Sequence, residues 1–173
     1  AASFALIRPR PVLEKKIPSG EPADHALGRS RGGFSTKLHL VCDGQGLPLI
    51  VEVGPGQEHE TQHVVSLAEQ LPALTDANGV VGKPKKFVGD KGYSADWIRQ
   101  WFSERDIEAV IPHRKNESRG EEFDRQSYRQ RNLIERCVGR LKEYRRIATR
   151  YEKLARNYLG MLHLGMILLY LDS

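Results

Sequence analysis

A chain of 173 residues with 39% hydrophobic and 28% charged residues has the size and composition of one globular domain, which excludes a disordered chain. Two cysteines are too few for a disulfide framework or a zinc site, so we expect a reducing cytosol. The net charge of +5 is compatible with a nucleic-acid partner but does not establish one.

The N-terminal part of the chain shows little periodic pattern. A short apolar tract precedes arginines and prolines there, which reverses the order found in a signal peptide. Any long element is interrupted by the prolines at positions 9, 11, 18 and 22. We therefore predict a poorly patterned N-terminal segment over residues 1–25 and one domain over residues 26–173.

Residues 34–53 predict an antiparallel hairpin. From Phe34 to Cys42 the residues form two alternating sets, one for each face of a strand. This two-residue period is typical of a β-strand. The turn sequence DGQG follows, and the stretch from Leu47 to Val53, rich in Val, Ile and Leu, predicts the returning strand. In the first strand, His39 is expected to face the surface.

A helix is predicted after the hairpin, over residues 64–71. Its apolar residues recur at helical spacing until Pro72 stops them. His59, which lies between two glutamates, is expected to belong to the polar start of this helix rather than to bind a metal ion.

Two short strands and a helix are predicted next. The sequences KFVGD at 86–90 and IEAVIP at 107–112 are typical of short buried strands. Between them, Ser94 is the predicted N-cap of a helix, with an apolar face that consists of Trp97, Ile98, Trp101 and Phe102. Residues 113–124, rich in glycine and charge, predict a loop.

From Tyr128 the chain is predicted to be helical almost to its end, with a possible break around Asn157 and Gly160. The apolar run from Tyr158 to Leu171 is short for a membrane span and is interrupted by glycine and histidine. It therefore predicts a buried helix and no membrane partner. The whole order of elements predicts an α/β fold with a mixed sheet flanked by helices.

The positive charge is concentrated near the C-terminus. Residues 125–156 contain 11 Lys or Arg and three Glu, a net charge of +8, which leaves −3 for the rest of the chain. A basic block of this kind suits binding to a phosphate backbone, although a solvated helix face is the commoner origin of a charge run.

Asp90 is a candidate metal ligand. It ends a predicted strand and begins the loop DKGYSAD, so its carboxylate is expected at the carboxyl end of the sheet, where α/β proteins commonly bind ligands. Hard cations such as Mg²⁺ prefer carboxylate oxygens. The alternative is that Asp90 only caps a turn.

A second candidate site lies on the predicted C-terminal helix. At about 100° per residue, Tyr128, Arg131, Glu135 and Lys142 share one stripe. In that stripe Glu135 is suited to bind metal, and the two cations are suited to contact phosphates. The alternative is an exposed face stabilised by an ion pair between Arg131 and Glu135.

Together these motifs resemble bacterial insertion-sequence transposases of the DDE type. The resemblance rests on DKGY, on the pattern Y-x2-R-x3-E-x6-K, and on LGRSRGGFSTKLHL at residues 27–40. It implies a ribonuclease-H-like fold, with Asp90 as the second and Glu135 as the third catalytic acid, both binding Mg²⁺ or Mn²⁺. It further implies that Lys142 contacts the transposon end, with Arg131 and Tyr128 supporting the acidic helix.

The same resemblance implies double-stranded DNA, both transposon ends and target, as the partner. It also implies a homo-oligomer assembled on DNA, and a bacterial cytoplasmic, nucleoid-associated location. The reaction would be cleavage of a strand at the transposon end, followed by its transfer to target DNA.

The chain departs from the family at the first catalytic aspartate, which belongs on an opening strand. Before residue 40 the carboxylates are Glu14, Glu21 and Asp24, and none lies in a suitable strand. Asp43 is explained by its turn. We therefore expect the opening strand to be missing or altered and the chain to be truncated, with weak or no activity. Two alternatives are a non-catalytic DNA-binding module that uses the basic helix and another ribonuclease-H-like nuclease.

Overall fold

The computed structural model describes residues 3–7, 25–30, 33–71, 84–114 and 123–173. Within them, one mixed sheet is formed by β1 (Ser3–Ile7), β2 (Gly28–Ser30), β3 (Gly33–Cys42), β4 (Pro48–Pro55), β5 (Lys86–Val88) and β6 (Glu108–Val110). The helices are α1 (Val64–Gln70), α2 (Asp96–Ser103), α3 (Arg125–Arg129), α4 (Arg131–Glu143), α5 (Arg145–Ala148) and α6 (Ala155–Leu171). Glu60–His63 and Lys91–Tyr93 form short 3-10 turns.

The sheet combines antiparallel and parallel pairing. Across it the order is β4, β3, β1, β5 and β6, with the short β2 paired to the first residues of β3. β1, β3 and β4 are antiparallel neighbours, whereas β1, β5 and β6 are parallel. The predicted mixed α/β fold is thus confirmed.

The predicted hairpin is confirmed as β3 and β4. The carboxylate of Asp43 fixes its turn by accepting hydrogen bonds from the amides of Gln45 and Leu47, both at 2.8 Å. Gly46 has φ +87°, a conformation that glycine adopts without steric cost. Turn chemistry that is visible in the sequence therefore sets this part of the fold.

Helices cover both faces of the sheet. On one face, Leu38, Leu40 and Cys42 of β3 pack with α4, α5 and α6. On the other, Val41 packs with α1, α2 and residues around β5. Because both faces of β3 are buried, the alternation of its residues does not distinguish buried side chains from exposed ones.

The structure corrects the predicted start and apolar face of α2. Ala95, not Ser94, occupies the N-cap position, and the Ser94 hydroxyl accepts a hydrogen bond from Arg99 at 3.1 Å. Ile98 and Phe102, one turn apart, form the buried stripe, while Trp97 is 47% exposed. Trp97 lies about 100° around the helix from Ile98, and this turns it toward solvent.

The long C-terminal helix is in fact four helices among the described residues. The breaks fall at Gln130, at Tyr144 and between Thr149 and Leu154. α6 continues through Asn157 and Gly160, where the break was predicted. At Gly160 an added Cβ would meet nothing within 4 Å, so this glycine lies on an open side of the helix. No helix in the described ranges is long and apolar enough to cross a membrane.

The opening strand is present rather than missing. β1 lies in the middle of the sheet, antiparallel to β3 and parallel to β5. Its sequence, SFALI, contains no carboxylate. The rest of the predicted N-terminal segment up to Asp24, including Glu14 and Glu21, lies outside the described residues, as does most of the loop predicted over 113–124.

Candidate functional site

Asp90 caps the turn that follows β5. Its Oδ1 accepts a hydrogen bond from the amide of Gly92 at 2.7 Å, and its backbone is extended. The amide of the preceding Gly89 donates to the carbonyl of Val110 in β6 at 3.2 Å. The capping role considered from the sequence is therefore real, and it uses one oxygen of a half-buried carboxylate.

Gly92 keeps room for this carboxylate. A Cβ at residue 92 would lie 2.9 Å from Asp90 Oδ1 and 3.7 Å from the carboxyl carbon of Glu60. Two carboxylates thus flank the same glycine. Glu60 was not a predicted site residue, because only the fold brings its 3-10 turn against the turn after β5.

Lys37 compensates the charge of Glu60. It is 7% exposed, and its ammonium donates to Glu60 Oε1 at 3.0 Å and to the carbonyl of Glu58. Burial acts to raise the pKa of Glu60, but a backbone hydrogen bond and Lys37 outweigh it, so the pKa lies below its ordinary value. The carboxylate of Glu60, whose charge is balanced by a buried lysine, therefore stands near the Asp90 turn.

Arg114 lies on the other side of the Asp90 turn. Its guanidinium donates to the carbonyls of Lys91 and Gly92, both at 3.3 Å. Arg114 is exposed, so a cation that was not predicted as a site residue stands beside Asp90. A residue of this type at an exposed position is suited to contact a phosphate.

Two histidines stack on each other between β3 and the 3-10 turn before α1, His39 buried and His63 half-buried. The ring of His39 stacks on that of His63 with centroids 3.7 Å apart. His63 bridges Glu52 at 2.8 Å and Glu58 at 2.9 Å, and these carboxylates raise its pKa against the effect of burial. His39 is fully buried, and among the described residues neither of its ring nitrogens has a hydrogen-bond partner.

The prediction that His39 faces the surface is therefore wrong, since both faces of β3 are covered. Burial, with the neighbouring His63, lowers the pKa of His39 to about 3, which keeps its ring neutral. His59, in contrast, begins its turn as predicted: its Nδ1 accepts a hydrogen bond from the amide of Thr61 at 3.4 Å.

Glu135 lies on the exposed side of α4, in an ion pair. Arg131 Nη2 is 2.6 Å from Glu135 Oε1, and the Glu135 side chain is 50% exposed. The Arg131 guanidinium also lies 5.8 Å from the centroid of the Tyr128 ring. The structure thus brings the side chains of Tyr128, Arg131 and Glu135 together. The ion pair between Arg131 and Glu135, which was the alternative interpretation of the sequence, is formed.

The four residues of the predicted stripe nevertheless do not lie on one continuous helix. Tyr128 belongs to α3, and the chain steps at Gln130 before α4 begins. Lys142 is half-buried in the last turn of α4. Basic side chains that are exposed in this region are those of Arg125, Arg129, Arg136, Arg145 and Arg146.

The described residues do not form a complete metal site. Among residues 25–30, 33–71, 84–114 and 123–173, no three His, Cys, Asp or Glu side chains lie close enough together to hold a metal ion. Carboxylate oxygens suit Mg²⁺, but the set that the structure brings together is too small to fit it.

The gap can be located on the backbone. Ser3 of β1 pairs with Val88 at the end of β5 in parallel register. If this register is continued for two residues beyond the end of β5, residue 5 falls opposite Asp90. Residue 5 is alanine. In the antiparallel direction it pairs with Leu40, which packs with Ile134 and Val138 of α4.

Comparisons with known proteins agree with the resemblance found in the sequence. Residues 16–171 match the family model described as the transposase DDE domain. The chain is 30% identical over 140 residues to a protein from Brucella ovis named as a transposase for insertion sequence element IS6501, and the match covers 80% of this chain and 99% of the relative. It is 27% identical over 151 residues to one from Burkholderia cepacia named for element IS402, covering 87% of this chain and 69% of the relative.

Proposed function

Because the chain belongs to the transposase DDE domain family, we propose that it is the catalytic-domain portion of an insertion-sequence transposase, with Asp90 and Glu135 as two of its catalytic acids. Its substrate is double-stranded DNA at the ends of the element. Its reaction class is metal-dependent cleavage followed by strand transfer, and this chain performs it weakly or not at all.

The position of Asp90 is the observation that carries the proposal. Asp90 directly follows β5, at the carboxyl end where open α/β sheets bind ligands. β5 lies beside β1, and α4, which carries Glu135, packs against β1. Two elements that meet at one strand therefore carry the two acids, and this supports a shared site.

The order of elements supports a ribonuclease-H-like fold. An antiparallel hairpin follows the central strand, parallel strands come next, and helices lie on both faces.

The family implies Mg²⁺ or Mn²⁺, and the residues that the structure describes do not form a complete site for either ion. β1 offers no carboxylate, and the described residues hold no cluster of three ligands. This misfit supports the second half of the proposal, which is weak or absent cleavage.

The basic surface beside Glu135 supplies the proposed DNA contact. Arg131 and Lys142 contact phosphates, and Tyr128 supports Arg131 through its ring. Exposed arginines on α3, α4 and α5 extend the surface and release counterions from the DNA backbone. The chain assembles as a homo-oligomer on DNA, which brings two transposon ends together.

A non-catalytic DNA-binding module is the second candidate. The ion pair between Arg131 and Glu135 favours it, because a structural role already accounts for that carboxylate. Another nuclease of the same fold is the third candidate.

One pair of assays separates the three. The first measures binding of a duplex that carries the element's terminal sequence, by fluorescence anisotropy with and without Mg²⁺. The second measures joining of a precleaved end to target DNA by the wild type and by Ala5→Asp, which restores a carboxylate beside Asp90. We expect DNA binding by both proteins, and joining by Ala5→Asp at a rate well above that of the wild type.

Two further variants show whether the acids are used. We expect Asp90→Asn and Glu135→Gln, each introduced into Ala5→Asp, to abolish joining while DNA binding remains. Binding without any joining by Ala5→Asp contradicts the transposase proposal and favours the binding module. Cleavage without joining favours the nuclease.

A further inference from the structure

His63 stands between two carboxylates. Its Nδ1 lies 2.8 Å from Glu52 Oε2, and its Nε2 lies 2.9 Å from Glu58 Oε2. An ionised carboxylate can only accept a hydrogen bond, and a neutral imidazole has a single N–H group. Both contacts are therefore hydrogen bonds only when both ring nitrogens carry a proton, which means that His63 is an imidazolium.

The two carboxylates are held with unequal strength. Glu52 of β4 also accepts hydrogen bonds from Ser66 Oγ and from Gln70 Nε2, the latter at 2.7 Å, so α1 fixes it from a second side. Within the described part of the chain, the Glu58 carboxylate has a hydrogen bond from His63 alone. When His63 loses one proton, the other proton therefore stays on Nδ1, and the contact with Glu58 is lost.

Gly54 of β4 makes room for the contact between His63 and Glu58. A Cβ at residue 54 would collide with Glu58 Oε2 and would lie 2.7 Å from His63 Nε2. The His63 ring also stacks on the buried ring of His39, with centroids 3.7 Å apart. The His63 side chain is only 15% exposed, so water screens its two ion pairs less than it would at an open surface.

The charges around the two histidine rings favour the protonated state of His63. They come from Glu52 on β4, Glu58 in the loop after it, Lys37 and His39 on β3, and Glu60 in the turn of His63 itself; α1 contributes the uncharged Ser66 and Gln70. Lys37 and Glu60 form an ion pair at 3.0 Å, so their charges offset each other. Two carboxylates then remain against one imidazolium.

We propose that His63 is a proton-operated latch for the segment between β4 and α1. As an imidazolium it holds the Glu58 side chain against β4, and as a neutral imidazole it releases that side chain. Burial acts to lower the pKa of His63, but the hydrogen bonds to Glu52 and Glu58 outweigh it and raise the pKa above its ordinary value of 6.5. The latch is therefore closed below that pH and opens as the pH rises through the pKa of the folded protein.

The segment that the latch holds also borders the Asp90 turn. Lys37 donates to the carbonyl of Glu58 and to Glu60 Oε1, and a Cβ at residue 92 would lie 3.7 Å from the carboxyl carbon of Glu60. Release of Glu58 therefore loosens the turn that carries Glu60 past Gly92. The latch is a property of the folded chain and does not depend on the proposed transposase function.

Titration of the His63 ring by nuclear magnetic resonance tests the protonation step. Long-range ¹H–¹⁵N spectra distinguish a protonated from an unprotonated ring nitrogen, and we expect two protonated nitrogens at pH 6, one at high pH, and a midpoint above 6.5. Glu52→Gln and Glu58→Gln should each lower this midpoint by about one pH unit, because each removes an adjacent negative charge. Glu69→Gln, at an exposed position of α1, is the matched control and should leave it unchanged.

Hydrogen exchange tests the release of Glu58. The amide of Gly56 donates to the carbonyl of Ser35 and that of Glu58 to the carbonyl of Pro55, both at 2.9 Å. We expect the protection factors of both amides, corrected for the intrinsic effect of pH, to fall roughly tenfold as the pH rises through the His63 midpoint. The amide of Asp43, which donates to the carbonyl of Leu47 in the hairpin turn, should show no such change.

Two substitutions of Glu58 separate a latch from a merely structural contact. In Glu58→Gln the protection should stay high on both sides of the midpoint, because a carboxamide can accept a hydrogen bond from a protonated Nε2 or donate one to an unprotonated Nε2. In Glu58→Ala the protection should be low on both sides, since neither state of His63 has a partner there.

Three results would overturn the proposal. One is a wild-type midpoint for His63 at or below pH 6.5, a measurement that needs no substitution. The second is a midpoint that Glu69→Gln changes as much as Glu58→Gln does. The third is unchanged protection of Gly56 and Glu58 across the midpoint. None of these measurements uses DNA or a metal ion, so failure of the latch and failure of the transposase proposal are distinguishable.

Discussion

Residue 5 is the position of β1 at which the proposed site could gain a carboxylate. The register of β1 and β5, continued beyond Val88, places Ala5 opposite Asp90, and an aspartate there would add Coulomb attraction for a divalent cation. We predict that Ala5→Asp binds Mn²⁺ roughly tenfold more tightly than the wild type, as measured by isothermal titration calorimetry.

Ile7→Asp is the matched control for that variant. It introduces the same charge on the same strand but about 7 Å further along it. Equal affinity of Ala5→Asp and Ile7→Asp would show that added charge, not position, accounts for the gain. Asp90→Asn should remove the gain of Ala5→Asp.

The lowered pKa of the buried His39 predicts that the folded protein loses stability at acid pH. Its pKa is about 3 in the folded chain against an ordinary value of 6.5. The unfolded chain therefore takes up a proton below pH 6.5 while the folded chain does not, and stability falls as the pH drops. His63 acts in the opposite sense, since its raised pKa stabilises the fold below pH 6.5 and that contribution is lost as the pH rises through the folded value.

Replacing His39 by leucine isolates its contribution. We predict that, between pH 8 and pH 5, the free energy of unfolding of the wild type falls by about 2 kcal/mol more than that of His39→Leu. Urea unfolding at a series of pH values measures this difference. If the free energy of unfolding varied with pH in the same way for the two proteins, His39 would have to be protonated or hydrated in the folded chain.

The candidate acids Asp90 and Glu135 were named from the sequence, because they stand in short motifs whose spacing is local. Glu60 and Arg114 were not, since each reaches the Asp90 turn only through tertiary structure, and Lys37 was not, since it joins them only through its contact with Glu60. The environment of His39 could not be predicted from the sequence either. The alternation in β3 shows which residues share a face of the strand, but it does not show that helices cover both faces.

At the scale of elements, the hairpin was predictable and the long C-terminal helix was not. The hairpin has its own turn chemistry in Asp43 and Gly46. The helix ends instead where tertiary contacts compete with helical hydrogen bonds, above all around Arg150. β1 was missed because a short strand is recognisable only once β3 and β5 are placed on its two sides.

Arg150 ties the segment between α5 and α6 to the far end of the domain. It is 8% exposed, and its guanidinium lies 5.2 Å from the centroid of the Tyr158 ring. It donates hydrogen bonds to His25 O, Ala26 O, Thr36 Oγ1, Glu152 O and Lys153 O. Because the guanidinium is planar and has five N–H donors, it can serve all five acceptors, whereas a lysine ammonium has only three.

We predict that Arg150→Lys lowers the free energy of unfolding by about 2–3 kcal/mol, since it leaves buried acceptors unpaired. Urea denaturation measures the change. Arg156→Lys, at an exposed position of α6, is the control and should cost less than about 0.5 kcal/mol. A similar loss of unfolding free energy in both variants would mean that the hydrogen bonds of Arg150 do not account for the destabilisation.

At the scale of the whole molecule, charge is divided between two regions. The region from residue 125 to residue 156 carries a net charge of +8 against −3 elsewhere, and in the structure it forms α3, α4, α5 and the start of α6. Of these, α4, α5 and α6 pack on one face of the sheet, whereas α1 and α2 pack on the other. The net charge of the chain alone does not reveal this asymmetry, but the distribution along the sequence does.

The asymmetry predicts which arginines contribute to DNA binding. Each phosphate contact adds about one to the slope of the logarithm of the association constant against the logarithm of salt concentration. We predict that Arg136→Gln, on the exposed side of α4, reduces that slope by about one. Arg105→Gln, which follows α2 on the opposite face and is paired with Glu104, should leave it unchanged.

Fluorescence anisotropy with a duplex over a range of NaCl concentrations measures both slopes. A duplex of unrelated sequence should give the same difference between the two variants, because counterion release is independent of base sequence. Equal reductions by Arg136→Gln and Arg105→Gln would mean that DNA responds to the total charge of the protein rather than to the face that carries α4. In that case neither face of the sheet is distinguished as the DNA-binding surface, and the assignment of that role to the helix of Glu135 fails.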